Sequence, residues 1–175
     1  MSDTHTPIPT KRFPKPAPWR IESVIDGRKL RSQLQATALN SMHDEKDLRS
    51  RALDLLHGAL FRGRMIAQER LEDGADGLDT SRLLAAVQDE VLAALFEFVS
   101  THIHRKTGAA ADERVAVLAV GGYGRSVLAP SSDIDLLLIR HQKQSPWAES
   151  VIEYMLYMLW DMGLKIGHAF RTIDE

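Results

Sequence analysis

The sequence predicts an α+β fold in which helices come first and are followed by a strand, a glycine loop, a strand, a helix and a strand. Residues 26 to 106 carry apolar side chains near the helical period of 3.6 residues. After residue 114, short apolar runs alternate with turn residues, which is typical of strands. We therefore divide the chain into a proline-rich tail (1–20), a helical region (21–106) and a sheet region (107–175).

Three helices are predicted in the helical region. Asp26 is suited to cap the first, and the second is expected over residues 44 to 71. Gly58 and Gly63 lie inside that second helix and weaken the expectation that it is continuous. The third helix is expected to start at residue 79 or 80. The apolar stripes of all three are interpreted as core packing against one face of the sheet.

Composition narrows the class of protein. The net charge is −2 and 44% of the residues are hydrophobic, so the basic surplus of a nucleic-acid-binding protein is missing. There is no cysteine, which excludes disulfides and thiol chemistry. No apolar stretch is long enough to span a membrane, and no secretory signal is evident at the N-terminus. Five of the seven prolines fall in the first 20 residues, so that tail is expected to be extended or disordered. We expect a cytoplasmic protein.

The glycine loop lies between two apolar runs, residues 114–120 and 134–139, which predict strands covered on both faces. Gly121, Gly122 and Gly124 allow positive φ and close approach of the backbone to a ligand. Successive N–H groups in such a loop can form a concavity that binds phosphate. The loop is therefore a candidate nucleotide-binding element.

A pair of carboxylates opens the second run. Asp133 and Asp135 are two residues apart, so at the start of a strand their side chains are expected on the same face. Adjacent carboxylates repel each other unless a cation lies between them. Hard oxygen ligands favour Mg²⁺, which is commonly held by one or two carboxylates together with substrate phosphates. Such an ion would polarise the α-phosphate of a nucleotide and stabilise departing pyrophosphate.

The spacing of the two features is more specific than either alone. Gly121 and Gly122 are followed by ten residues and then by Asp133-Ile134-Asp135. The glycines lack both the G-x-G-x-x-G spacing of a dinucleotide-binding fold and the Gly-Lys-Ser/Thr of a P-loop. The joint pattern of strand, Gly-Gly, Asp-x-Asp and strand resembles the signature of the DNA-polymerase-β-like nucleotidyltransferase superfamily.

A closer resemblance covers residues 115 to 172. The segments 121–125, 128–130, 132–137, 159–168 and 171–172 are similar to those of the bacterial PII-protein uridylyltransferase/uridylyl-removing enzymes. The departure is Ser126-Val127, where that family more often has glycine and a polar or acidic residue. Serine is less free than glycine to adopt positive φ, so the loop geometry at residue 126 is an open point.

The resemblance implies an activity and roles for residues. It implies Mg²⁺-dependent transfer of UMP from UTP to a tyrosine of the PII signalling protein, with an HD domain that removes UMP and ACT domains that sense glutamine. Asp133 and Asp135 would bind the metal and be catalytic. The residues that would bind the nucleotide are Gly121, Gly122, Arg125 and Ser132, although a surface salt bridge is an alternative for Arg125.

One expected feature is missing. The superfamily uses a third carboxylate on a later strand, but the run 165–171, predicted as that strand, has no Asp or Glu. Asp174 and Glu175 follow it and are interpreted as solvated charges. The nucleotidyltransferase portion is therefore expected to be incomplete at its C-terminal end. Two alternatives stay open: another nucleotidyltransferase of the superfamily, for example one that uses ATP, and a non-catalytic module that binds nucleotide or another partner.

Overall fold

Four α-helices and a three-stranded sheet form the part of the chain that the computed structural model describes, namely residues 20–41, 44–106, 113–141 and 145–175. The α+β class and the order of elements are as predicted. The predicted tail, except Arg20, and most of the loop predicted at 107–113 lie outside the described residues. The elements are α1 (Gly27–Asn40), α2 (Glu45–Glu72), α3 (Gly77–Phe98), β1 (Val115–Ala119), β2 (Ile134–Arg140), α4 (Pro146–Asp161) and β3 (Ile166–Thr172).

Aspartates cap the first three helices. Asp26 accepts a hydrogen bond from the Lys29 N–H at 2.9 Å, and Asp44 caps α2 in the same way. The predicted start of α3 at residue 79 or 80 is wrong, because Asp76 accepts from the N–H groups of residues 78 and 79 and the helix begins at Gly77. A glycine at the first helical position misled the prediction, since glycine normally signals the end of a helix.

Helix α2 is continuous over its 28 residues, and Gly58 and Gly63 do not interrupt it. Gly63 is instead a packing position, because a Cβ there would lie 2.5 Å from Val87 Cγ1 on α3. Beyond α3 the chain continues as a π-helical turn over Val99–Ile103. No helix in the described ranges is both long and apolar enough to cross a membrane.

The sheet is mixed and has the order β1-β2-β3. Strand β2 pairs antiparallel with β1, where Leu118 lies opposite Leu137, and parallel with β3, where Asp135 lies opposite Gly167. β3 begins and ends one residue later than the run 165–171. The central strand is thus the one that carries the predicted catalytic carboxylate.

Only one face of the sheet is covered by the described residues. Ile134, Leu136 and Leu138 of β2 are buried, and the first two belong to the same core as residues of all four helices. On the opposite face Asp135 is exposed and Leu118 is 40% exposed. The expectation of two covered faces is therefore wrong for the described residues. Apolar runs alone do not distinguish a half-buried antiparallel pair from a fully buried strand.

A residue in front of β1 caps the helix that covers the buried face. Ser145 is the N-cap residue of α4 and Pro146 occupies the first position, but the Ser145 side chain does not bond to the helix. Its hydroxyl donates to Glu113 Oε2, which also accepts from the N–H groups of Trp147 (3.1 Å) and Ala148 (3.3 Å). Glu113 thus satisfies donors that are left free at a helix N-terminus and joins the start of the sheet to α4.

Candidate active site

The glycine loop turns sharply directly after β1. Gly121 has φ +63°, and residues 123 to 125 form a 3₁₀ turn. The N–H groups of residues 124 to 127 donate to the carbonyls of Val120, Gly122 and Tyr123, so they are bonded within the loop. Within the described part of the chain, the N–H groups of Gly121 and Gly122 have no acceptor. The N–H groups of Gly121 and Gly122 therefore remain as candidate donors to a phosphate.

Asp135 lies between two glycines that leave room for its carboxylate. A Cβ added at Gly121 would lie 2.8 Å from Asp135 Oδ2. A Cβ at Gly167, the partner of Asp135 on β3, would overlap Oδ1. The carboxylate is thus held between the glycine loop and β3, with the Val120 N–H donating to the Asp135 carbonyl at 3.0 Å. Loop, carboxylate and β3 meet at one edge of the sheet.

Asp133 precedes β2, which begins at Ile134, and is exposed like Asp135. Together the two side chains offer hard oxygen donors that are open to solvent, and this donor set fits Mg²⁺. Among the described residues no cluster of three or more His, Cys, Asp or Glu residues is positioned to hold a metal. Water and substrate phosphates would have to complete the coordination of an ion at this position.

Arg125 and Ser132 are both exposed at this loop. Arg125 forms no ion pair with a described carboxylate, and its Nη2 would be 4.0 Å from a Cβ placed on Gly122. Its guanidinium is thus available beside the second glycine, and the alternative of a surface salt bridge finds no partner in the described ranges. The Ser132 hydroxyl donates to the Ala129 carbonyl at 3.0 Å, so it stabilises the loop itself.

Tyr123 fastens the glycine loop to helix α3. Its ring is buried, and its hydroxyl donates to Asp89 Oδ1 at 2.6 Å. Burial and the adjacent carboxylate raise the pKa of this hydroxyl well above its ordinary value. A second link is the hydrogen bond from the Leu128 N–H to the Ser81 carbonyl, also on α3. Sequence reasoning missed both: the aromatic ring inside a glycine motif was a signal for Tyr123, whereas nothing in the sequence pointed to Asp89.

The exposed face of β3 has no third carboxylate. Residues that share the face of Gly167 are Ala169 and Arg171. After the strand, Glu175 Oε2 accepts a hydrogen bond from the Thr172 N–H at 3.0 Å and closes a terminal turn, and Asp174 is exposed. Gly167, which the sequence analysis did not single out, has no side chain and therefore leaves space for the Asp135 carboxylate.

The class of protein follows from this geometry. A glycine turn with free N–H groups faces a carboxylate at the head of the neighbouring strand, with a second carboxylate two residues earlier and an arginine beside the turn. This arrangement agrees with the nucleotidyltransferase class that the sequence predicts.

Comparison with known proteins points to a particular group within that class. The chain is 60% identical over 158 residues, 90% of its length, to the bifunctional uridylyltransferase/uridylyl-removing enzyme of Caulobacter vibrioides, in strain NA1000 / CB15N and in strain ATCC 19089. It is 59% identical over 162 residues, 93% of its length, to the enzyme of that name from Phenylobacterium zucineum (strain HLK1). The resemblance predicted from the motifs is thus confirmed.

The matched region is the N-terminal portion of those enzymes. The chain spans 17% of the length of these curated relatives. No family model matches the chain, and no solved structure does. The similarity therefore covers most of this chain and a small share of each relative.

Proposed function

We propose that this chain contributes the nucleotide end of a uridylyl-transfer site, in which UMP passes from UTP to a tyrosine hydroxyl of the PII signalling protein. The observation that carries the proposal is the position of Asp135, whose carboxylate is enclosed by Gly121 and Gly167 at the mouth of the glycine loop. The high identity to enzymes named for uridylyl transfer supports this reading.

The residues of this chain have separate parts in the transfer. The free N–H groups of Gly121 and Gly122 and the unpaired Arg125 guanidinium bind the phosphates of UTP. Asp133 and Asp135 would hold Mg²⁺, which would polarise the α-phosphate and neutralise charge on the leaving group. The acceptor oxygen forms a bond to the α-phosphorus, the bond to the bridging oxygen breaks, and pyrophosphate leaves. The hydroxyl proton passes to solvent or to a base.

The enclosure of Asp135 explains why little else is needed at this position. No covalent intermediate with the protein is required, since holding both reactants in line lowers the entropic cost of the reaction. Strand β2 fixes the backbone of Asp135 through pairing on both sides, and the two glycines leave the carboxylate accessible. The chain thus supplies a rigid support for ion and phosphates.

The test is Asp133→Asn in the full-length protein, with Asp54→Asn as the control. Asp54 is an exposed carboxylate on α2 with no partner among the described residues. We expect Asp133→Asn to lose at least about 10²-fold in UMP transfer, the scale of removing one electrostatic stabiliser, with an unchanged circular dichroism spectrum. Asp54→Asn should keep full activity. Wild-type transfer by a folded Asp133→Asn protein would refute the assignment of that residue.

The absence of a third carboxylate on the described part of β3 favours a second candidate, a module that binds nucleotide without turnover. Mg²⁺-UTP would then raise the melting temperature, because a ligand that binds only the folded state stabilises it, yet no UMP would reach an acceptor. Competition by Mg²⁺-ATP in the same assay separates uridylyl transfer from a relative that uses adenine nucleotides.

A further inference from the structure

A cavity that neither Asp133 nor Asp135 lines lies beside the glycine loop. It has a volume of about 320 Å³ and lies between the end of α2, the start of α3 and the segment 128–131. This size is at the lower end of the range for small-molecule sites. We call it the α2–α3 pocket. Neither Asp133, Asp135 nor the glycines of the loop line it, so it is separate from the candidate active site.

The charge of the pocket is set by one arginine. Arg64 lines it, is partly buried, and has no ion pair or hydrogen bond with a described residue. Other arginines of the described chain, such as Arg31, Arg49 and Arg140, do pair with carboxylates. Burial lowers the pKa of the Arg64 guanidinium, but arginine remains charged at neutral pH. A partly desolvated and unpaired cation is costly, and an anion would offset that cost.

The rest of the lining favours a small anion with an apolar body. No Asp or Glu lines the pocket. The walls are largely apolar, and the Thr80 hydroxyl already donates to the Asp76 carbonyl at 3.0 Å. The side chains that would contact an apolar body are Leu71, Leu84, Leu128 and Pro130. A single cation in an apolar cavity is the arrangement that fixes the head group of a ligand while its body is desolvated.

We propose that the α2–α3 pocket binds a small organic anion, with a carboxylate or phosphate head on Arg64 and a short apolar body against the leucines and Pro130. The pocket also includes Ala129 and Ser131, which lead directly into Ser132 and Asp133. A bound anion would therefore contact the segment that leads to Asp133.

The test uses three six-carbon probes on the full-length protein. They are hexanoate, hexyl phosphate and, as the neutral control, hexanol. Saturation-transfer NMR measures their affinities at millimolar concentrations, the range expected for ligands this small. The variants are Arg64→Met and its matched control Arg62→Met. Arg62 is exposed on the same helix and lines a different cavity. Circular dichroism establishes that each variant is folded.

We expect at least one anion to bind about tenfold or more tightly than hexanol, because a charge-assisted hydrogen bond is about twice as strong as a neutral one. The stronger of the two anions identifies the head group. Arg64→Met should abolish this preference and Arg62→Met should keep it. Leu71→Ser, at a position 42% exposed, should weaken all three probes and retain the preference. Equal binding of anions and hexanol, no binding of any probe, or a preference that survives Arg64→Met would overturn the proposal. None of these outcomes depends on UMP transfer.

Discussion

Gly167→Ala separates the position of Asp135 from the stability of the fold. The Cβ that the substitution adds would lie well inside the 3.0 Å that such atoms keep from other atoms, and the atom it meets is Asp135 Oδ1. To reach an ordinary contact distance, that oxygen must move by roughly 1 Å. A misplacement of this size at a reacting centre costs about 10²-fold in rate.

The free energy of unfolding should change by less than about 1 kcal/mol, because two small effects oppose each other. The displaced atom is the end of an exposed side chain that can rotate, and alanine is favoured over glycine inside a strand by roughly 0.5–1 kcal/mol. The expected result is thus a folded protein with a much lower kcat/KM for UMP transfer and a higher Mg²⁺ requirement.

The assay is UMP transfer by the full-length protein at several Mg²⁺ concentrations, with urea unfolding in parallel. Gly77→Ala is the matched control, because a Cβ there meets nothing within 4 Å. Undiminished transfer by Gly167→Ala would refute the reasoning that Asp135 needs its present position. A loss of activity accompanied by an equal loss in Gly77→Ala would refute it as well.

Three further substitutions test the loop and the helices by urea unfolding. Tyr123→Phe removes the hydrogen bond to Asp89 and should lower the free energy of unfolding by about 1 kcal/mol. The loss stays below that of a hydrogen bond to a buried charge, because Asp89 is exposed. The folded state raises the pKa of Tyr123 above the unfolded value of about 10, so the free energy of unfolding should fall as pH rises above that value. This fall should be shallower in Tyr123→Phe. An unchanged alkaline stability profile would contradict the burial of the Tyr123 hydroxyl. Ser126→Gly should stabilise the protein by about 1 kcal/mol, because Ser126 has φ +56° and glycine has no penalty there; a lower unfolding midpoint would count against this. Gly63→Ala should lower the free energy of unfolding by about 1–3 kcal/mol, because its Cβ would collide with Val87. In Gly58→Ala the added Cβ meets only the flexible end of Arg62, so this variant should be neutral or stabilising. Equal effects of the two would show that Gly63 is not a packing position.

Local sequence signals predicted most of the fold. Aspartate caps, the proline at the start of α4 and turn glycines act over a few residues, so they are visible without tertiary structure. The third helix began earlier than predicted because Gly77, a residue type that usually ends helices, occupies its first position. Glu113 caps α4 from a position 34 residues before Trp147, and no local pattern reports such a tertiary contact.

The candidate site was predicted in part for the same reason. Gly121 and Asp135 lie at the two ends of the loop that joins the antiparallel strands β1 and β2, so their proximity follows from one connection. Gly167 enters the site through the register of β2 and β3, and Asp89 enters through the packing of α3 on the loop. Both relations join segments distant in sequence. Ser126 has φ +56°, so the loop has a left-handed residue at the position whose geometry the sequence left open.

The pairing of β2 on both sides divides the site into a stiff part and a compliant part. Asp135 belongs to β2, whose backbone is hydrogen-bonded to a strand on each side. Local opening of β2 requires both sets of hydrogen bonds to break. The backbone amides of β2 should therefore exchange with solvent only in rare, large fluctuations. The glycine turn, in contrast, is held by hydrogen bonds within the loop and by its two hydrogen bonds to α3. In the proposed transfer, adjustment to an arriving nucleotide would therefore occur in the turn, while Asp135 would stay fixed as the reference against which the phosphates are aligned.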